Sequence, residues 1–258
     1  MTCPRCKKED PRGMEMCPNC GAPIKPLPVP PGGRIKFGPY DWFVLDKRDD
    51  RMLVITEKVI ERRPYHSQDC EITWETCDMR NYLNGRFYDS FDGTDRARIM
   101  EVTNENPDNP WYGTDGGNPT LDKVFLLNIE EVVRYFGDSG QIHNRSRNPG
   151  CDWCKDEYFP WFGDQHNINR RAVDLAGIVR FWTLRSPGAN PHLVTLVMGF
   201  CGDEFDHGGI DMAGGGDLRD GHFVFDKSNF MATDMADDSI KGLSIHGVRP
   251  ALWLRMEG

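Results

Sequence analysis

Ile35-Lys36-Phe37-Gly38-Pro39-Tyr40-Asp41-Trp42-Phe43-Val44-Leu45-Asp46 reads as two strand pieces broken at a Gly-Pro turn. Met52-Leu53-Val54-Ile55-Thr56 follows as a short buried strand, and apolar runs return at Leu193–Met198 and Val248–Leu254. Between them, Thr73 can cap a helix through Leu83, with Trp74, Cys77 and Leu83 on its inner face and Gly85 beyond its end. Asn128-Ile129-Glu130-Glu131 has the form of a capping box opening a helix that ends at Phe136-Gly137, after a buried strand at Val124–Leu127. Short strands with a few short helices, and no solenoid repeat, predict an α+β domain.

Composition agrees. The 258 residues include 27 glycines and 18 prolines, about 17% against a usual ~12%, so loops dominate. An aromatic content of 11% still provides a core. The net charge of −9 argues against broad binding to phosphate backbones. No apolar stretch approaches the ~18 residues of a spanning helix. Met1-Thr2-Cys3-Pro4 does not open a signal peptide, so a cytoplasmic location is expected. Nine cysteines, an odd number, then read as reduced thiols and metal ligands rather than a disulfide framework.

Four of them stand as two C-x-x-C pairs, Cys3/Cys6 and Cys17/Cys20. Each pair sets two thiolates on one side of a tight knuckle, and two knuckles complete a tetrahedral shell suited to Zn(II). Gly21 supplies a left-handed turn after the last cysteine. So short a segment depends on its metal for folding energy. Residues 1–22 are therefore expected to form a zinc ribbon. Residues 23–33, with five prolines between Pro23 and Pro31, form a semi-rigid spacer expected to hold the ribbon away from the main domain, residues 34–258.

Several segments together carry a resemblance: Ile35–Asp46; Thr73-Trp-Glu-Thr-Cys-Asp-Met-Arg-Asn-Tyr-Leu-Asn84 with Phe87-Tyr88; Val124–Val132; Phe181-Trp-Thr-Leu-Arg-Ser-Pro-Gly188; and Gly247-Val-Arg-Pro-Ala-Leu-Trp-Leu254. In this order, over about residues 34–255, the chain resembles a bacterial family with a C-type-lectin-like fold, related to the formylglycine-generating-enzyme branch. The same fold carries the variable proteins of diversity-generating retroelements. The resemblance implies that first and last strands pair, and Leu252-Trp253-Leu254 can lie beside Tyr40–Leu45, with Pro250 at the strand entry. It implies a non-enzymatic display protein that recognises a protein or other cell-surface ligand through a diversified C-terminal loop surface around 189–207, and it is compatible with carriage on a phage or other mobile element. The candidate ligand residues are Asn190, His192, Phe200, Asp203, Phe205 and His207, helped by Trp153 and Trp161. Their mixture of aromatic, acidic and small side chains between glycine turns resembles a paratope.

Other chemistry is thinner. The acidic run Asp203, Glu204, Asp206, Asp211, Asp217, Asp220, Asp226, Asp234, Asp237 and Asp238 reads better as a solvated loop than as a Ca²⁺ site. Cys151/Cys154 is a third C-x-x-C that could bind metal only if Cys70, Cys77 or His166 came near. Trp111-Tyr112, Phe159 and Phe162 are further rings in loop-like sequence, candidates for packing or for a binding rim. The seven histidines form no H-E-x-x-H, and no G-x-S-x-G is present. An enzyme alternative, a metal-dependent oxidase of the formylglycine-generating branch, would need a cysteine pair where only Cys201 stands. A zinc-ribbon adaptor using Arg5, Lys7, Lys8, Arg12 and Lys25 on nucleic acid is the other alternative, disfavoured by the net charge.

Overall fold

The computed structural model describes residues 2–9, 17, 19–68, 70–110, 112–137, 161–162, 166–188, 190–197, 210–217 and 247–256, of which 161–162 and 210–217 are described in backbone only. In chain order, β1 (Arg34–Phe37), β2 (Tyr40–Lys47), β3 (Arg51–Thr56) and β4 (Glu61–Arg62) precede α1 (Asp78–Tyr82), a π-helical turn (Leu83–Phe87) and α2 (Gly93–Arg98). β5 (Ile99–Met100), β6 (Val102–Asn104) and β7 (Thr120–Asp122) lead to α3 (Ile129–Phe136). There follow β8 (Trp161–Phe162), α4 (Asn167–Arg170), β9 (Ala172–Val173), β10 (Val179–Arg180), β11 (Trp182–Pro187), β12 (Leu193–Val197), β13 (Ile210–Asp217), β14 (Gly247–Val248) and β15 (Ala251–Arg255). The architecture is α+β.

One antiparallel sheet has the order β1-β2-β3-β15-β5. Gly38 turns β1 into β2 with φ +55, and a Cβ there would meet the Phe91 ring at 2.7 Å, so only glycine fits. The terminal strand does not lie beside Tyr40–Leu45 as expected. Leu252 pairs with Val54 of β3, which stands between β2 and β15. The cause is local: residues 48–50 make a tight β2–β3 connection closed by Arg48 N–H to Arg51 O (2.8 Å), so β3 takes the inner edge of β2. Its apolar Leu53-Val54-Ile55 then offers β15 a fully buried partner. Pro250 does stand at the entry to β15.

A second antiparallel sheet runs β11-β12-β13-β8. The largest fully buried side chains include Trp42, Trp74 and Trp182. Each ring of this size removes 150–250 Å² from water, a gross gain of roughly 4–6 kcal/mol. The predicted helix at Thr73 begins later. Thr73–Thr76 is a turn, and Cys77 caps α1 by accepting from Arg80 N–H (3.4 Å). Gly85 lies inside the π-helical turn instead of beyond a helix end, and Leu83 and Phe87 both remain buried. Trp74, Cys77 and Leu83 are buried as expected. The Asn128/Glu131 capping box forms in full, and α3 ends at Gly137 with φ +95. Val124–Leu127 is buried but is not a strand: it meets β15 through the bridge of Phe125 to Ala251 and β11 through Arg185 N–H to Leu127 O (3.0 Å).

Candidate metal centre and ligand face

The two N-terminal C-x-x-C segments fold as near copies. Cys3 N–H bonds Lys8 O and Cys17 N–H bonds Ala22 O, both at 2.9 Å. Lys7 N–H reaches Cys3 O at 3.0 Å, and Gly21 N–H reaches Cys17 O at 2.8 Å. The fifth residue of each knuckle is left-handed, Lys7 with φ +62 and Gly21 with φ +64. Lys7 is the only non-glycine with positive φ among the described residues, so the knuckle geometry overrides side-chain preference there.

This repeat brings four sulfurs within 4.8 Å of one another. Cys3 Sγ lies 3.7 Å from Cys20 Sγ, and Cys6 Sγ lies 3.5 Å from Cys17 Sγ. Thiols this close cannot all ionise against each other. The backbone N–H of Lys8 draws the Cys6 thiol down to about 6. Burial pushes Cys20 up to about 12. A cation at the centre removes that conflict, and the four cysteines could hold one. Among the described residues no other group of three or more His, Cys, Asp or Glu comes together in this way.

The ribbon is not held away from the larger domain. Val179 N–H of β10 donates to Gly21 O at 3.1 Å. The proline spacer is itself docked at its far end, where Val44 N–H bonds Gly33 O at 3.0 Å. A stiff spacer sets the reach of the ribbon but does not prevent its return to the surface.

The second region of interest is the tip of the β11–β12 hairpin. Asn190 and His192 are exposed there. Asn190 Oδ1 accepts from His192 N–H (2.9 Å), Leu193 N–H bonds Asn190 O (3.1 Å) and Gly188 N–H bonds Leu193 O (2.7 Å), so the tip is a closed turn. Asn109, almost fully buried, donates through Nδ2 to Pro187 O (2.9 Å) and Gly188 O (3.3 Å) and accepts at Oδ1 from Tyr112 N–H (3.1 Å). Tyr112, 45% exposed, is thereby brought to the same end of the molecule as the tip. Ile72 N–H bonds Pro191 O at 3.2 Å.

Two polar hubs tie the elements of the larger domain together. Arg185 of β11 donates to Glu131 carboxylate oxygens, Leu126 O, Glu105 O and Asn106 Oδ1. The Asp122 carboxylate accepts from Trp74 Nε1, Arg80 Nε, Asn84 Nδ2, Asn104 Nδ2 and Thr120 Oγ1. Burial alone raises the Asp122 carboxyl, but hydrogen bonds from Asn104, Thr120, Trp74 and Arg80 outweigh it and hold it below its ordinary 3.8.

Of the sequence-derived ligand residues, Asn190 and His192 share the exposed tip. Trp161 lies on the backbone of β8. Trp153, Phe200, Asp203, Phe205 and His207 lie outside the described residues, as do Cys151, Cys154 and Cys201. The acidic run likewise lies outside them, except Asp211 and Asp217 on the backbone of β13. The stretch 189–207 is not one continuous loop surface, because Val194–Val197 is a buried strand. Cys77, buried and pushed up to about 12 by desolvation, is a helix cap. Tyr112 was legible only as one ring of a loop pair; its link to the tip depends on Asn109, whose side chain bridges 79 residues.

No helix among the described residues is long and apolar enough to cross a membrane. No curated protein and no solved structure matches the chain. The model of DUF6273, a domain of unknown function, matches residues 49–256, from the β2–β3 connection through β15, and the chain belongs to that family.

Proposed function

We propose that the chain is a non-enzymatic ligand-display protein whose larger domain is a C-type-lectin-like frame, similar to the variable proteins of diversity-generating retroelements, and whose ribbon binds a structural zinc ion. The observation that carries the display reading is the hairpin tip: exposed Asn190 and His192 stand on a turn closed by backbone hydrogen bonds and by the Asn190 side chain, and buried Asn109 and Thr195 hold its base. A surface of this kind can change side chains without disturbing its support, and a preorganised turn binds with little ordering cost. Tyr112 supplies an aromatic anchor beside it.

For the ribbon, a Zn–S bond of about 2.3 Å in a tetrahedron sets sulfurs about 3.8 Å apart. Two of the six separations, 3.5 and 3.7 Å, lie near that spacing, and all six are within 4.8 Å. Elemental analysis of purified protein should find about one zinc per chain.

The display reading is tested by panning a yeast-displayed random peptide library on the wild-type protein and on the Asn190→Ala/His192→Ala variant. Peptides enriched by the wild type should fail to bind the variant while both proteins melt alike. Equal enrichment by both would remove the tip from recognition.

A further inference from the structure

We propose that the second knuckle of the ribbon is a metal-dependent clamp on the β9–β10 turn, so that loss of the ion is felt inside the larger domain. The inference rests on the reading of the four cysteines as a zinc site.

The contact is the bond from Val179 N–H to Gly21 O, and both sides are fixed by their neighbours. Gly21 follows ligand Cys20, and its peptide with Ala22 is enclosed by Gly21 N–H to Cys17 O and Cys17 N–H to Ala22 O. Its carbonyl direction is therefore set by the loop that carries two of the four sulfurs. On the other side, Val179 pairs with Val173 across β9–β10. Asp174 holds the intervening turn by accepting from Ala176 N–H, Ile178 N–H and Arg180 Nε. Val173 O in turn accepts from Val59 N–H at 2.9 Å, and Ile60 N–H bonds Val248 O of β14 at 3.0 Å. The Gly21 carbonyl thus heads a run of backbone hydrogen bonds and strand pairs that reaches the closing strands.

Metal dependence follows from what the ribbon lacks. Among its described residues the buried core is Cys3, Cys17 and Ala22, and a segment of this length is too short to fold without an ion. When the knuckle opens, Val179, fully buried in the docked state, is left with an N–H whose acceptor has gone. An unmatched buried N–H is costly, so the turn opens to water. The stiff spacer keeps the ribbon close, and redocking on return of the ion is intramolecular.

The test is amide hydrogen exchange on the full-length zinc-loaded protein before and after a chelator, with the intact mass recording loss of the ion. Exchange at Val179 should accelerate on the order of tenfold or more, with the Asp174–Ile178 turn following, while Val54 in the central sheet stays protected. The Cys17→Ser/Cys20→Ser variant should reproduce the faster exchange without chelator. Unchanged exchange at Val179 after the mass has shown zinc loss overturns the clamp and leaves the zinc reading intact. Equal acceleration at Val54 also overturns it, since the response would then be global unfolding. A protein with no zinc to lose overturns the zinc reading and the clamp with it.

Discussion

The ribbon and the larger domain solve the same problem by opposite means. The ribbon buries Cys3, Cys17 and Ala22 among its described residues and relies on four sulfurs arranged by two copied knuckles. The larger domain buries Trp42, Trp74 and Trp182 and sets polar groups in hubs around Arg185 and Asp122. Removing an ion should therefore erase one region and leave the other standing. Removing a buried charge should do the reverse.

The largest effect is expected at Arg185. Arg185→Met leaves the Glu131 carboxylate with only Asn128 N–H as donor and strips the buried Leu126 carbonyl of the Arg185 guanidinium, and should cost about 3–5 kcal/mol in chemical unfolding of the larger domain. Zinc content should not change. A loss below about 1 kcal/mol would mean that the hub is not what holds β11 to α3.

Asp122 sharpens the comparison through pH. Its folded carboxyl titrates below the unfolded 3.8, so its stabilisation is complete above about pH 4 and is lost as pH falls through the folded value. Asp122→Asn should cost about 1–3 kcal/mol at neutral pH and flatten the acid limb of the stability curve. The ribbon must give up its ion as its thiolates take protons, and should do so at higher pH than the domain unfolds. Zinc release and tryptophan fluorescence followed in one acid titration would separate the two events. Coincident transitions would contradict their independence.

A smaller effect is expected from chelation at neutral pH. The clamp is one hydrogen bond, so the main thermal transition should move by no more than about 2–4 °C. The smallest belongs to the tip, where Asn190→Ala or His192→Ala should each change stability by about 0.5 kcal/mol or less.

The sequence carried what local chemistry carries. The paired C-x-x-C spacing foretold the sulfur cluster, and Asn128 with Glu131 foretold the start of α3, because each depends on residues a few positions apart. The Gly38-Pro39 break foretold the β1–β2 hairpin. Partners distant in sequence were not legible. Nothing near Leu252 says that Val54, and not Val44, is its neighbour; the tight β2–β3 turn decides that. Asp122 stands out in no local pattern, and only the fold brings Trp74, Arg80 and Asn104 onto it. The spacer was read from its stiffness, which fixes a length but no direction, so the docking of Gly21 on Val179 stayed hidden. Thr73 is a good cap in isolation and so predicts an earlier helix start, whereas in the fold the buried Cys77 thiol takes that role.

The central claim is that a rigid frame carries an exposed tip on which its own stability does not depend. Randomising Asn190 and His192 together and recording thermal unfolding of a few dozen purified variants tests it directly. The account predicts cooperative transitions within about 2–4 °C of the parent for nearly all of them. Widespread loss of the transition would show that these side chains hold the frame together.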